Sequence, residues 1–308
     1  MRVAGLIALA LVTLAGCRDA PRDAPTKVEA SKPLVVASFY PLYDFARQIA
    51  GDKAEVVSLV PAGVEPHDWE PAPRDVARVE KATLFIYHGA DFDPGAARLA
   101  KTAAAAGRVV AEATAGLSLL PTDHPAHEKV KNRPPDPHVW LDPTLAQGQV
   151  TIIRDALAKA DPSNAQHYTA RAATYTTRLG GLHDAYSRGL AECKRREIVV
   201  SHAAFTYLAH RYKLLQVPVM GLAPQSEPSP AEIARVVRTV RRIKAKVIFF
   251  ETLVSGRLAD TLASEVGATT MVLNPIEGLT PEEEKAGKDY VSLMEQNLEN
   301  LRTALECR

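Results

Sequence analysis

Runs of four or five apolar residues alternate along this chain with longer stretches in which apolar positions recur every three or four residues. In the first half, 34–38, 55–59 and 83–87 read as buried strands, and 108–110 adds a shorter one. Residues 42–50 and 74–82 lie between them with helical spacing. The second half repeats the scheme, with strands at 197–200, 215–219, 247–250 and 269–273. Helix starts are signalled at Ser229-Pro230-Ala231-Glu232 and Thr280-Pro281-Glu282-Glu283, where a hydroxyl residue is followed by Pro and then by Glu. The alternation predicts an α/β fold of two small lobes, each a parallel-leaning sheet with flanking helices.

One segment breaks the alternation. From 162 to 190 the apolar positions are Tyr168, Ala172, Tyr175, Leu179, Leu182, Tyr186 and Leu190, in steps of three and four. A helix of roughly 28 residues spans about 40 Å at 1.5 Å per residue, enough to run down the back of both lobes. Gly180 and Gly181 each weaken it by roughly 1 kcal/mol and allow a bend. The expected division is a first lobe at 34–160, a rigid connecting helix at 161–192 and a second lobe at 193–308, with a cleft between the lobes.

The amino terminus changes the setting. Arg2 precedes an uncharged, mostly apolar run to Gly16 that is too short to span a bilayer. It ends in Leu14-Ala15-Gly16-Cys17, the pattern a bacterial lipoprotein peptidase reads. Residues 1–16 are therefore expected to be a lipoprotein signal peptide and Cys17 a lipidated terminus; an ordinary signal peptide with a chance cysteine is the competing reading. Residues 17–33, rich in Pro, Ala, Asp and Lys and lacking aromatics, then form a flexible tether from the membrane surface. In an exported, oxidising setting the remaining pair, Cys193 and Cys307, favours a disulfide over two free thiols. A formal net charge of +1 suggests no polyanion partner. The basic run Arg235, Arg238, Arg241, Arg242, Lys244 and Lys246 reads as a solvated helix face, not a nucleic-acid surface, and a monomer is expected.

Three histidines stand out by their surroundings. They are His67 in Glu65-Pro66-His67-Asp68-Trp69, His138 in Asp136-Pro137-His138-Val139-Trp140-Leu141-Asp142-Pro143, and His202 in Ser201-His202-Ala203-Ala204-Phe205. Glu277 comes later, in Asn274-Pro275-Ile276-Glu277-Gly278. All four fall in loops after expected strands, two from each lobe, where α/β clefts gather ligands. Three imidazoles and one carboxylate satisfy the tetrahedral preference of zinc. Asp136 and Asp142 are near enough in sequence to orient His138 from behind; Glu251, closing Phe249-Phe250-Glu251, is either such an acceptor or a purely structural one. His88 sits at a strand exit near the cleft.

These stretches resemble the metal-binding lipoproteins of bacterial ABC importers, the cluster A-I zinc/manganese solute-binding family, over the whole chain beyond the tether. The resemblance implies two α/β lobes on a rigid helix with the metal in the cleft, held by His67, His138, His202 and an acidic fourth residue. It implies Zn²⁺ as cargo and a membrane ABC permease as partner, outside the cytoplasm. Manganese-type members resemble two-His, two-carboxylate sites with an aspartate shortly after the last strand. Here that place holds Asn274, and His202 stands where a carboxylate would, so Glu277 completes a zinc-type set. Zinc members commonly carry a long His- and acid-rich loop; here 121–136 is short and holds only His124 and His127.

Competing functions are a manganese- or iron-type importer component, an envelope zinc hydrolase, and a surface adhesin with a structural metal. The hydrolase fares poorly, because it needs an open coordination position and a nearby base. No His-Glu-x-x-His or Gly-x-Ser-x-Gly motif occurs, and His127-Glu128 is followed by Lys131 where a second histidine would stand. The chain is expected not to be an enzyme.

Overall fold

Two parallel four-stranded sheets of the same strand plan make up the computed structural model, which describes residues 32–122, 133–222 and 229–308. The first contains β1 (Leu34–Ala37), β2 (Glu55–Ser58), β3 (Leu84–Tyr87) and β4 (Val109–Glu112), connected by α1 (Tyr40–Ala50), α2 (Pro73–Lys81) and α3 (Pro94–Ala105). Its order is β2-β1-β3-β4, with Val35 opposite both Val56 and Leu84. A short 3-10 turn (Val139–Leu141), α4 (Pro143–Ala160) and α5 (Ala165–Gly189) come next. The second sheet holds β5 (Glu197–Val200), β6 (Leu215–Pro218), β7 (Val247–Phe250) and β8 (Thr269–Val272), in the order β6-β5-β7-β8. Its helices are α6 (Thr206–Tyr212), α7 (Pro230–Ile243) and α8 (Arg257–Val266), and the chain closes with α9 (Pro281–Lys285) and α10 (Tyr290–Ala304). Every strand pair is parallel, so all strands of a sheet end on one edge.

Local chemistry explains the element starts. Ser229 and Thr280 accept the backbone N–H of Glu232 and Glu283, and each glutamate returns a bond to the cap, as their spacing in the sequence requires. α5 begins three residues later than the periodicity suggests, because Pro162–Asn164 forms a 3-10 turn, and it runs unbroken through Gly180 and Gly181. Tyr168, Ala172, Tyr175, Leu179, Leu182 and Tyr186 are its buried face.

Those residues join one hydrophobic core that also takes in α1, α4, α6, α10 and the inner faces of both sheets. Smaller clusters lie on the outer faces, one under α2 and α3 and the other under α7 and α8. Each large apolar side chain buried this way contributes about 1.5–3 kcal/mol. Hydroxyls fasten the layers: Tyr186 donates to Met294 O at 2.7 Å, Tyr175 to Asp44 Oδ2 at 3.1 Å, and Tyr290 to Trp140 O.

Cys193, just past α5, and Cys307, just past α10, form a disulfide across 114 residues. Glu306 beside it pairs with Lys194 and Lys246 at 2.9 and 2.5 Å. Among the described residues no helix is long and apolar enough to cross a membrane. The expected signal peptide, Cys17, most of the tether, His124 and His127 lie outside the described residues.

Candidate metal centre

In the second sheet the chain leaves β5 towards β6 on one side and returns towards β7 on the other, which opens a crevice beyond the ends of β5 and β7. His202 follows β5 by two residues and Glu251 follows β7 directly, so both stand at that crevice. The first sheet has the same switch point, between β1 and β3. There the places are taken by Phe39 after β1 and His88 after β3, and the crevice is filled by rings: Phe39, His88, Phe92 and Trp140 pack with centroids 4.7–5.4 Å apart. His67 comes from a 3-10 turn (Pro66–Asp68) after β2, with its ring 4.7 Å from that of Phe92. His138 immediately precedes the turn Val139–Leu141, and Glu277 lies beyond β8.

The four side chains predicted as donors converge. Glu277 Oε1 lies 3.4 Å from His67 Nε2, 3.2 Å from His138 Nε2 and 3.3 Å from His202 Nε2, and the last two nitrogens are 3.4 Å apart. One donor atom from each residue falls within 4.8 Å of all the others. His138, His202 and Glu277 have side chains fully sealed from solvent, whereas that of His67 is 10% exposed, so the cluster meets water past His67.

Two carboxylates set the histidine tautomers by the same device. Asp136 Oδ1 accepts both the backbone N–H of His138, at 2.9 Å, and its ring Nδ1–H, at 2.8 Å. Glu251 Oε1 does the same for His202, at 3.2 and 2.7 Å. With Nδ1 protonated, each Nε2 lone pair points into the cluster, as metal-binding histidines require. Asp142, the other acceptor expected behind His138, is engaged elsewhere. It caps α4 by accepting from Thr144 N at 2.9 Å and pairs with Arg211 Nε at 2.8 Å, because it immediately precedes the first helical residue, Pro143.

Three further residues act on the cluster without being singled out in sequence. Glu65 Oε1 accepts from His67 N at 3.2 Å; burial and then the Glu277 charge push its carboxyl up to about 9. Tyr207 on α6 donates to Asp136 O at 2.7 Å and accepts from Leu120 N. Trp140 Nε1 donates to Pro275 O at 2.7 Å, tying the His138 turn to the Glu277 loop. His88 is no donor to the cluster. Burial holds it down at about 3, so it is neutral and gives its Nε2–H to Pro137 O at 2.7 Å. The following Gly89 is required, since it has φ +84 and an added Cβ would lie 2.3 Å from Glu112 Oε1.

Protons compete with a metal for these Nε2 atoms. Burial lowers the pKa of both sealed histidines, yet Asp136 and Glu277 outweigh it at His138, and Glu251 and Glu277 at His202, leaving both raised. For Glu277, burial works upward, but His202 and His67 hold the carboxyl well below its ordinary range. Acid therefore acts on His138 and His202 before Glu277. Zinc affinity is expected to fall as pH drops and to begin falling above about 6.5, the ordinary histidine value. Calorimetry from about pH 8 to about pH 5.5 checks this; a flat profile would rule out these imidazoles as metal donors.

The family model for the periplasmic component A of the zinc-uptake complex, ZnuA, matches residues 35–304. The chain belongs to that family. The high-affinity zinc uptake system protein ZnuA of Bacillus subtilis is 37% identical over 306 residues, covering 97% of this chain and 96% of that protein. The zinc-binding lipoprotein AdcA of Streptococcus pneumoniae is 40% identical over 274 residues, which are 87% of this chain and 55% of AdcA. The solved Zn(II)-bound ZnuA-like domain of that AdcA matches with a TM-score of 0.78 at 39% identity, covering 90% of this chain and 100% of the domain. The two-sheet architecture is thus that of ZnuA-type two-lobe binding proteins, and the expected resemblance to zinc-type solute-binding proteins holds.

Proposed function

We propose that this protein captures Zn²⁺ outside the cytoplasm on His67, His138, His202 and Glu277 and passes it to the permease of an ABC importer. The spacing of the four donor atoms carries the reading. A tetrahedral ion with bonds of about 2.0–2.1 Å needs donors about 3.3 Å apart, and the separations here are 3.2–3.4 Å wherever Glu277 Oε1 is one partner. Three nitrogens and one oxygen suit zinc, whereas manganese favours more oxygen and higher coordination. Four protein donors also leave no position for a reactive water, which supports cargo over catalyst. The names of the relatives, a zinc uptake protein and a zinc-binding lipoprotein, support the same reading. The second name, that of a lipoprotein, also supports lipidation at Cys17; on this reading residues 17–33 are the tether and the protein acts as a monomer at the membrane surface.

Purified without added metal, the protein is expected to retain about one zinc per chain, with X-ray absorption giving a four-atom N/O shell at about 2.0–2.1 Å. Retained manganese with about six oxygen-rich neighbours would instead mark a manganese-type importer component.

A further inference from the structure

Glu277 is held in an unusual way. Apart from the three imidazoles, neither of its carboxylate oxygens has a hydrogen-bond partner among the described residues. Its place is therefore set by its backbone, and that backbone is strained. Ile276, the residue before it, has φ +59 and is fully buried. A β-branched residue rarely adopts this conformation, and a turn with Pro first and positive φ second ordinarily takes glycine in the second place. Local preference would not form this loop.

Two buried asparagines hold it. Asn274 Oδ1 accepts the N–H of Ile276 at 2.7 Å, a side-chain turn that spans Pro275 and fixes the peptide entering the left-handed residue. Asn274 is fixed in turn by Asn297 on α10, which accepts from Asn274 N at 2.8 Å and donates from Nδ2 to Asn274 O at 2.6 Å. Asn274 Nδ2 also donates to Glu283 Oε1 at 3.2 Å, beside the cap of α9. Both asparagines are at most 3% exposed. A buried amide with every arm engaged specifies one geometry, because any other leaves polar groups unpaired in a dry interior. We propose that Asn274 and Asn297 are positioning residues for metal capture, pre-setting the Glu277 carboxylate by holding Ile276 in its left-handed turn.

The proposal rests on Glu277 as a zinc donor, and a double-mutant cycle separates the two ideas. Zinc affinity is measured by competition with a chromophoric chelator for the full chain, Asn274→Ala, Glu277→Ala and the double variant. Asn274→Ala is expected to weaken binding by about 10–100-fold, the usual effect of removing a group that orients a metal ligand. In the Glu277→Ala background the same change is expected to cost less than about 2-fold, because its effect runs through that carboxylate. Asn274→Ser, whose hydroxyl makes the same turn more weakly, recovers part of the loss. Where Asn274→Ala does not fold, Asn297→Asp takes its place in the cycle, keeping the acceptor for Asn274 N and losing the donor to Asn274 O. Equal losses in both backgrounds, or no loss in either, overturn the positioning role. Unchanged affinity for Glu277→Ala alone overturns the donor assignment and the positioning role with it.

Discussion

His138→Ala is expected to lower zinc affinity by more than about 100-fold, exceeding the 10–100-fold effect of losing a group that only orients a ligand. The substitution would remove one of the four proposed donors, and the three left cannot close a tetrahedron. The metal-free fold is expected to survive, because Asp136 keeps the backbone N–H of residue 138 as a partner when the ring is gone. Its melting temperature falls by no more than roughly 5 °C, reflecting lost ring contacts with Trp140 and Phe92. What disappears is the stabilisation zinc confers: about 4 kcal/mol when the ion is at a thousand times Kd. Calorimetric titration and paired melts with and without zinc measure both effects. Unchanged affinity would remove His138 from the site; collapse of the metal-free fold would make its role structural.

Replacing both Cys193 and Cys307 with serine has the opposite profile. The bond closes a segment of 114 residues, for which chain entropy gives about 4–5 kcal/mol, or roughly 10 °C in melting temperature for a domain of this size. Zinc affinity is expected to stay within about 2-fold of wild type. The staple lies before the start of β5 and the metal cluster beyond its end, so the strand separates the two. Chemical denaturation of the metal-free protein reads the first effect and chelator competition the second. A stability loss below about 1 kcal/mol would show that the crosslink constrains the unfolded chain far less than its length implies. A large fall in affinity would show that the staple holds the site's shape.

Much of this architecture can be read along the chain. The strands appear within a residue or two of 34–38, 55–59, 83–87, 197–200, 215–219, 247–250 and 269–273, because strands of a parallel sheet covered by helices are short apolar runs between polar breaks. The buried face of α5 is visible as Tyr168 to Tyr186 in steps of three and four. Other helices are harder to see. α6 buries five of its seven residues, Thr206, Tyr207, Leu208, Ala209 and Tyr212, so it has almost no polar face to produce a period. α3 is alanine-rich and contrasts little from side to side. α4 is absent from the sequence reading although Ala146, Val150, Ile153 and Leu157 stand at helical spacing.

The site divides in the same way. His67, His138, His202 and Glu277 could be nominated in sequence because each is a good zinc donor in a loop after a strand. Choosing between Asp136 and Asp142 could not be settled there, since both are within four residues of His138. Their positions relative to α4 separate them: Asp142 is drawn off to cap that helix, and Asp136 turns back on the histidine. Glu65, Tyr207, Trp140 and the two asparagines act through contacts with residues whose identity gives no hint of the partner.

Residue type and near neighbours were enough to specify the strands, the long helix, the four candidate donors and the zinc-like chemistry of the set. Folding in three dimensions decided that Glu277 Oε1 lies 3.2–3.4 Å from each of the three imidazole nitrogens, which oxygen orients which ring, and that Ile276 adopts a turn no isoleucine prefers. Those outcomes depend on groups far apart in the chain, such as Asn297 reaching Asn274 and Glu251 reaching His202, which become neighbours only when the shared core closes.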